Sequence, residues 1–166
     1  MKKTIITFLF AFTSLITFSQ EFKVPEDIKL ESREDFAAQE KNILSCVDWL
    51  MKTPLTEQKE KRTEANRYLM QWLTGTPDVH IEIKQEIVTF MDSPDLLMIF
   101  MGAWAKNTIE TRDADNKAAN NLKGIEAVME VYTKNSGSIP KIKSIEKYVK
   151  MKEKGTLEDY IKRNSN

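Results

Sequence analysis

Cysteine, histidine and glycine are all scarce in this sequence, and each scarcity narrows what the chain can do. A single cysteine, Cys46, leaves no internal disulfide, so the core must hold itself together by packing. Its helical spacing from Ile43, Trp49 and Leu50 reads as a half-buried structural thiol, with a disulfide between chains or a redox role as the alternatives. The single histidine is His80, flanked by Asp78 and Glu82. Alternate positions near a helix start do not converge three ligands on one side, so no metal site is expected. Nothing in the sequence brings Cys46 beside His80 as a nucleophile and its base. The five glycines are scattered at 75, 102, 124, 137 and 155, and no glycine-rich phosphate loop, G-x-S-x-G or H-E-x-x-H is present. Sustained apolar–polar alternation is lacking as well, so no strand is expected. Net charge is also absent: 25 basic and 25 acidic residues balance, which gives no warrant for nucleic-acid binding.

Uncharged apolar sequence is confined to two places. The first, Ile5 to Phe18, follows Lys2 and Lys3 and ends in Thr17-Phe18-Ser19, small residues at −3 and −1 of a cut before Gln20. This is the pattern of a secretory signal peptide over residues 1–19. The run is well short of the roughly 20 residues that span a bilayer, and no cysteine follows it to mark a lipoprotein. The chain is therefore expected to be exported, periplasmic or secreted, with no transmembrane segment after cleavage. The second place is "LLMIFMGAWA", which begins at Leu96 and has no polar side chain and no favoured face. A helix apolar all round is buried all round, so residues 95–112 are expected to form the central helix of a bundle.

Around that helix the chain reads as all-α: a single-domain compact bundle of about six or seven short helices over residues 32–162. An extended lead-in over residues 20–31 precedes it, and a frayed tail over residues 163–166 follows. Ser32 and Asp35 form a partial capping box ahead of the stripe Phe36, Ile43, Val47, Leu50. Three echoes, "WLMKTPLT", "WLTGTPDV" and "FMDSPDLL", place a hydroxyl residue before proline after an apolar anchor. Proline is excluded from helix interiors but suits the first helical turn behind a Thr or Ser cap. Thr53-Pro54, Thr76-Pro77 and Ser93-Pro94 are thus each expected to end one helix and start the next. The helices so expected cover residues 56–74, with Gly75 as a C-terminal cap, then 81–91, 95–112, 115–135 and 140–154. A short turn follows, opened by Thr156 and Asp159. Gly102 and Gly124 lie inside two of these helices and suggest that the two cross tightly.

What remains for function is a distribution of charge. Residues 134–166 hold nine basic and four acidic residues, whereas the rest of the exported chain is acidic. Lys143, Lys147, Lys150 and Lys154 repeat at steps of 4, 3 and 4, opposite Ile142, Ile145 and Val149. Such a row is ordinarily a solvated face; its functional reading is docking to an anionic protein or envelope surface. Without arginine or aromatics in the row, nucleic acid is the least fitting target. Trp49 lies off the apolar stripe of its helix and is either covered by another helix or an exposed interface anchor. The expectation is an exported binding or interaction module engaging a protein partner, with no catalytic activity and no cofactor. A periplasmic chaperone, inhibitor or immunity-like protein is the first alternative; a small carboxylate-dependent hydrolase is the second.

Overall fold

The chain is described over residues 22–165 in the computed structural model. The leader and its cleavage site lie outside the described residues. Six helices follow in order: α1 (Arg33–Lys52), α2 (Lys59–Gly75), α3 (Pro94–Thr111), α4 (Lys117–Lys134), α5 (Lys143–Glu153) and α6 (Leu157–Asn164). Among the described residues there is no strand, so the fold is an all-α bundle.

Helix α3 is its centre. Ten of its 18 residues are buried, among them Leu96, Ile99, Phe100 and Trp104, and it packs on α1, α2 and α4. Pro94 begins it behind Ser93, as the sequence predicts. The capping box of α1 is complete: the Asp35 N–H donates to the Ser32 hydroxyl at 3.2 Å, and the Ser32 N–H to the Asp35 carboxylate at 3.0 Å. These bonds satisfy backbone donors that the first helical turn leaves open.

The other two hydroxyl–proline pairs stop helices without starting them. Thr53 and Thr76 are C-caps, their N–H groups donating to Trp49 O and Trp72 O. Helix α2 begins only at Lys59, because the backbone between is committed elsewhere. The Leu55 N–H donates to the Asn135 Oδ1 at 2.9 Å, and the carbonyl of Thr53 accepts from the Arg62 guanidinium at 2.6 Å. Residues 81–91 form no helix. Two separate turns close there, one with the Ile87 and Val88 N–H groups on the Lys84 carbonyl, the other with the Ser93 N–H on the Phe90 carbonyl. The carbonyls of Glu86 and Ile87 are taken by tyrosines, Tyr160 and Tyr148, each at 2.8 Å. The segment is also rich in β-branched residues, which lose side-chain freedom in a helix.

Two of the glycines act through what lies against them. Gly75 is the last residue of α2 rather than its cap, and the Phe36 ring fills the place of its missing side chain. The helix pair α3 and α4 does cross tightly, but only Gly124 lies at that crossing, under Phe100. Gly102 instead receives Val47 of α1 and Leu69 of α2. At the C-terminus, the expected fraying does not extend over residues 163–165: α6 continues to Asn164, and Ser165 is buried. Its hydroxyl accepts from the Asn121 amide at 3.0 Å and donates to the Ile161 carbonyl at 2.8 Å. The lead-in is likewise anchored, with Phe22 buried against Tyr68 and Trp49.

Candidate functional site

Helix α5 turns its apolar residues inward and its lysines out. Ile145 and Tyr148 are buried, with Ile142 and Val149 packed beside them. Lys143, Lys147, Lys150 and Lys154 are all exposed, in a row about 16 Å long at 1.5 Å of rise per residue. Lys147 lies over the Tyr160 ring, 5.4 Å from its centroid. Among the described residues no carboxylate pairs with any of the four. Cations close by do find partners: Lys152 reaches Glu126 at 2.9 Å, and Lys134 reaches Glu130 at 2.6 Å. Like charges at i, i+4 work against a helix. Lys143 also stands at the first position of α5, where the helix dipole favours an anion. Lys150 and Lys154, at the other end of α5, suit the dipole, so what marks the row is that none of its lysines has an ion-pair partner among the described residues.

At the head of this row opens a cleft of about 660 Å³, lined by Lys143 and by three chain segments far apart in sequence. Leu55 and Phe90 are its buried apolar floor, Ile139 and Ile142 its half-buried wall, and Lys59 and Lys141 share its rim with Asp92. The segments are tied to each other and to α4. Asn135, at the end of α4, accepts from the Leu55 N–H and donates to the Val131 carbonyl at 2.8 Å. The Tyr132 hydroxyl accepts from the Ile142 N–H at 3.0 Å, and the Ser144 hydroxyl donates to the Thr89 carbonyl at 3.3 Å. The cleft is held open by bonds that already exist in the free protein. Asp95 also lines it; burial lowers the pKa of nearby Arg62, and the charge of Asp95 partly offsets that.

Trp49 is not part of this surface. It is half-buried, covered by the Phe22 ring at 6.3 Å between centroids and by Lys61 and Arg62 at 5.0 and 5.8 Å from its ring. Helices α1 and α5 share no contact, so the two parts of the expected binding set lie apart. The cover comes from the lead-in and α2. Sequence reasoning missed Leu55, Lys59, Phe90 and Lys141, whose only signal was a lysine or an apolar residue beside a proline or turn.

Several other titratable groups are engaged structurally. Cys46 is fully buried, its thiol donates to the Ala65 carbonyl, and burial pushes its pKa up to about 12. A thiolate is the reactive form, so this thiol is inert in the folded chain. His80 is exposed in a separate cleft of about 470 Å³. There Arg112 grips Glu40 with two bonds of 2.5 and 2.6 Å, and Arg33 pairs with Asp78. Glu82 is held below the ordinary carboxylate range by its bond from Lys117. Burial pushes Glu126 upward, but bonds from Lys152 and Lys123 outweigh it and leave its pKa lowered. Among the described residues no three His, Cys, Asp or Glu side chains converge as a metal-holding group, and no helix is long and apolar enough to cross a membrane. Comparison with protein-family models, curated proteins and solved structures finds no match.

Proposed function

We propose that this chain is an exported, all-helical binding module that docks an anionic protein through the basic face of α5 and acts by occupying its partner's surface, without a chemical step. The observation that carries this reading is the unpaired row of Lys143, Lys147, Lys150 and Lys154 on a helix whose orientation is otherwise locked. A protein surface suits it better than a lipid one. Interfacial helices insert an apolar face into the headgroup region, and the apolar face of α5 is already spent on the core. Export rests on the leader sequence, and the intact mass of exported protein should correspond to a chain beginning at Gln20.

The test is a variant in which Lys143, Lys147, Lys150 and Lys154 are all replaced by Gln, titrated beside the parent with poly-glutamate. Exposed charges contribute little to stability, so the variant should fold with nearly the parental Tm. Binding by the parent should weaken as salt rises toward physiological strength, and binding by the variant should be lost at every salt concentration. Equal binding by both proteins at low and high salt would overturn the reading.

A further inference from the structure

We infer that the cleft at the head of α5 is an anchor pocket for one large apolar side chain carried within an acidic stretch of a protein partner. The inference rests on the docking face proposed above and adds what that face selects. Poly-anions in general satisfy a lysine row; only a segment with an apolar residue at the right place also fills the cleft. Its floor, Leu55 and Phe90, is apolar, while Lys59, Lys141 and Lys143 stand around it. A bound apolar side chain thus has acidic neighbours held by lysines on either side. The lysine row then continues along α5, a length that an extended chain covers in about five residues.

Two physical features favour this occupant. At about 660 Å³ the cleft falls within the usual range for ligand-holding pockets, roughly 300–1,000 Å³, with room for an aromatic ring and the backbone beside it. Its walls are also pre-set by the Asn135, Tyr132 and Ser144 bonds, so little ordering remains to oppose binding. The cleft does contain carboxylates. Asp92 and Asp95 line it against Lys59, Lys141 and Lys143, one lysine in excess, to which the row along α5 adds Lys147, Lys150 and Lys154. The charge complementarity therefore favours an acidic segment over a basic or neutral one.

The experiment uses the mature chain and two labelled peptides of about eight residues, followed by fluorescence anisotropy. One has a central phenylalanine flanked on each side by glutamates; in the other serine replaces the phenylalanine. The phenylalanine peptide should bind about tenfold tighter or more. Thr56→Trp, which fills the cleft from an exposed wall position, should remove that advantage and leave the serine peptide unaffected. Should this variant fold poorly, methyl NMR of the parent decides instead: the phenylalanine peptide, and not its serine partner, should shift the Ile139 and Ile142 methyl signals. Equal affinities for the two peptides, both salt-sensitive and both lost in the four-glutamine variant, would overturn the anchor pocket and leave the docking face standing. Binding to anionic phospholipid vesicles with neither peptide bound would overturn both.

Discussion

The ring of Phe100 occupies the space where a side chain on Gly124 would begin: a β-carbon there would lie 2.5 Å from Cδ2 and 2.6 Å from Cε2. This approach sets the spacing of α3 and α4, and the ring has nowhere to retreat. It is fully buried between Phe90 and Trp104, whose rings meet it edge-on with centroids 6.1 and 5.9 Å away.

Gly124→Ala should therefore destabilise the protein. Overpacking of this kind costs about 1–3 kcal/mol, against a gain of up to about 1 kcal/mol in helix propensity. A net loss of about 1–2 kcal/mol in urea unfolding is expected. Gly137→Ala, where a new β-carbon meets nothing within 4 Å, should change stability by no more than about 0.5 kcal/mol. Equal stability of the two variants would show that the helices separate freely.

Arg62 closes the end of α1 from inside the bundle. It is 4% exposed, and its guanidinium donates to the carbonyls of Leu50 at 3.3 Å and of Thr53 at 2.6 Å. A cation at a helix C-terminus complements the dipole, and a planar fork serves several carbonyls at once. Arg62→Met keeps the apolar stem but leaves those carbonyls without a donor, an omission that costs about 1–3 kcal/mol. Urea denaturation of the variant should show that loss, and an unchanged midpoint would mean that water replaces the guanidinium.

Stability should fall in alkali in a defined window. Burial pushes Cys46 up to about 12 from 9.0 and Tyr148 up to about 12 from 10.0, and it raises Tyr68 as well, with the Cys46 charge adding to the effect. Each group is neutral in the folded chain at pH values where the unfolded chain ionises. The unfolded state then binds fewer protons, so stability declines as pH rises. The contribution is complete below about pH 9 and drains away between 9 and 12. Urea midpoints measured from pH 8 upward should be flat and then drop. In Cys46→Ala the drop should begin about one pH unit later, where tyrosine ionisation starts; an identical onset would remove the thiol from the explanation.

How much of this was legible beforehand depends on range. The capping box at Ser32 and Asp35, the start at Ser93-Pro94 and the burial of "LLMIFMGAWA" are written locally; the first two stand as read, although the Ser93 side chain makes no cap bond, and the third holds for all but Leu97 and Met101, which are partly buried. The exposure of the α5 lysines was legible for the same reason, because Ile142, Ile145 and Val149 mark the opposite face, to which the structure adds Tyr148. Where local signals failed, a distant residue had taken the backbone. Asn135 holds Leu55 from 80 positions away, and Tyr148 and Tyr160 hold the 86–87 carbonyls that a helix over 81–91 would have used internally. The cleft belongs to this second group, since its walls come from three separated segments joined by such bonds.

The C-terminus offers the sharpest test of that distinction, because its composition, "KRNSN", reads as a solvated tail. In the fold, Ser165 is 1% exposed, and so is Asn121 of α4, whose amide donates to the Ser165 hydroxyl at 3.0 Å. Among the described residues the Asn121 Oδ1 has no partner, so there this amide depends on one bond to its nitrogen. Deleting residues 165 and 166 would leave a buried amide with no protein partner, and an orphaned group of this kind costs about 1–3 kcal/mol. A solvated tail would cost nothing. The deletion should thus lower the urea midpoint measurably, and Ser165→Ala in the full-length chain should reproduce most of the loss. A Ser165→Thr variant keeps the hydroxyl and should recover part of it. If deletion and Ser165→Ala both unfold at the parental midpoint, the tail is frayed in solution, and the Asn121 amide donates to water instead.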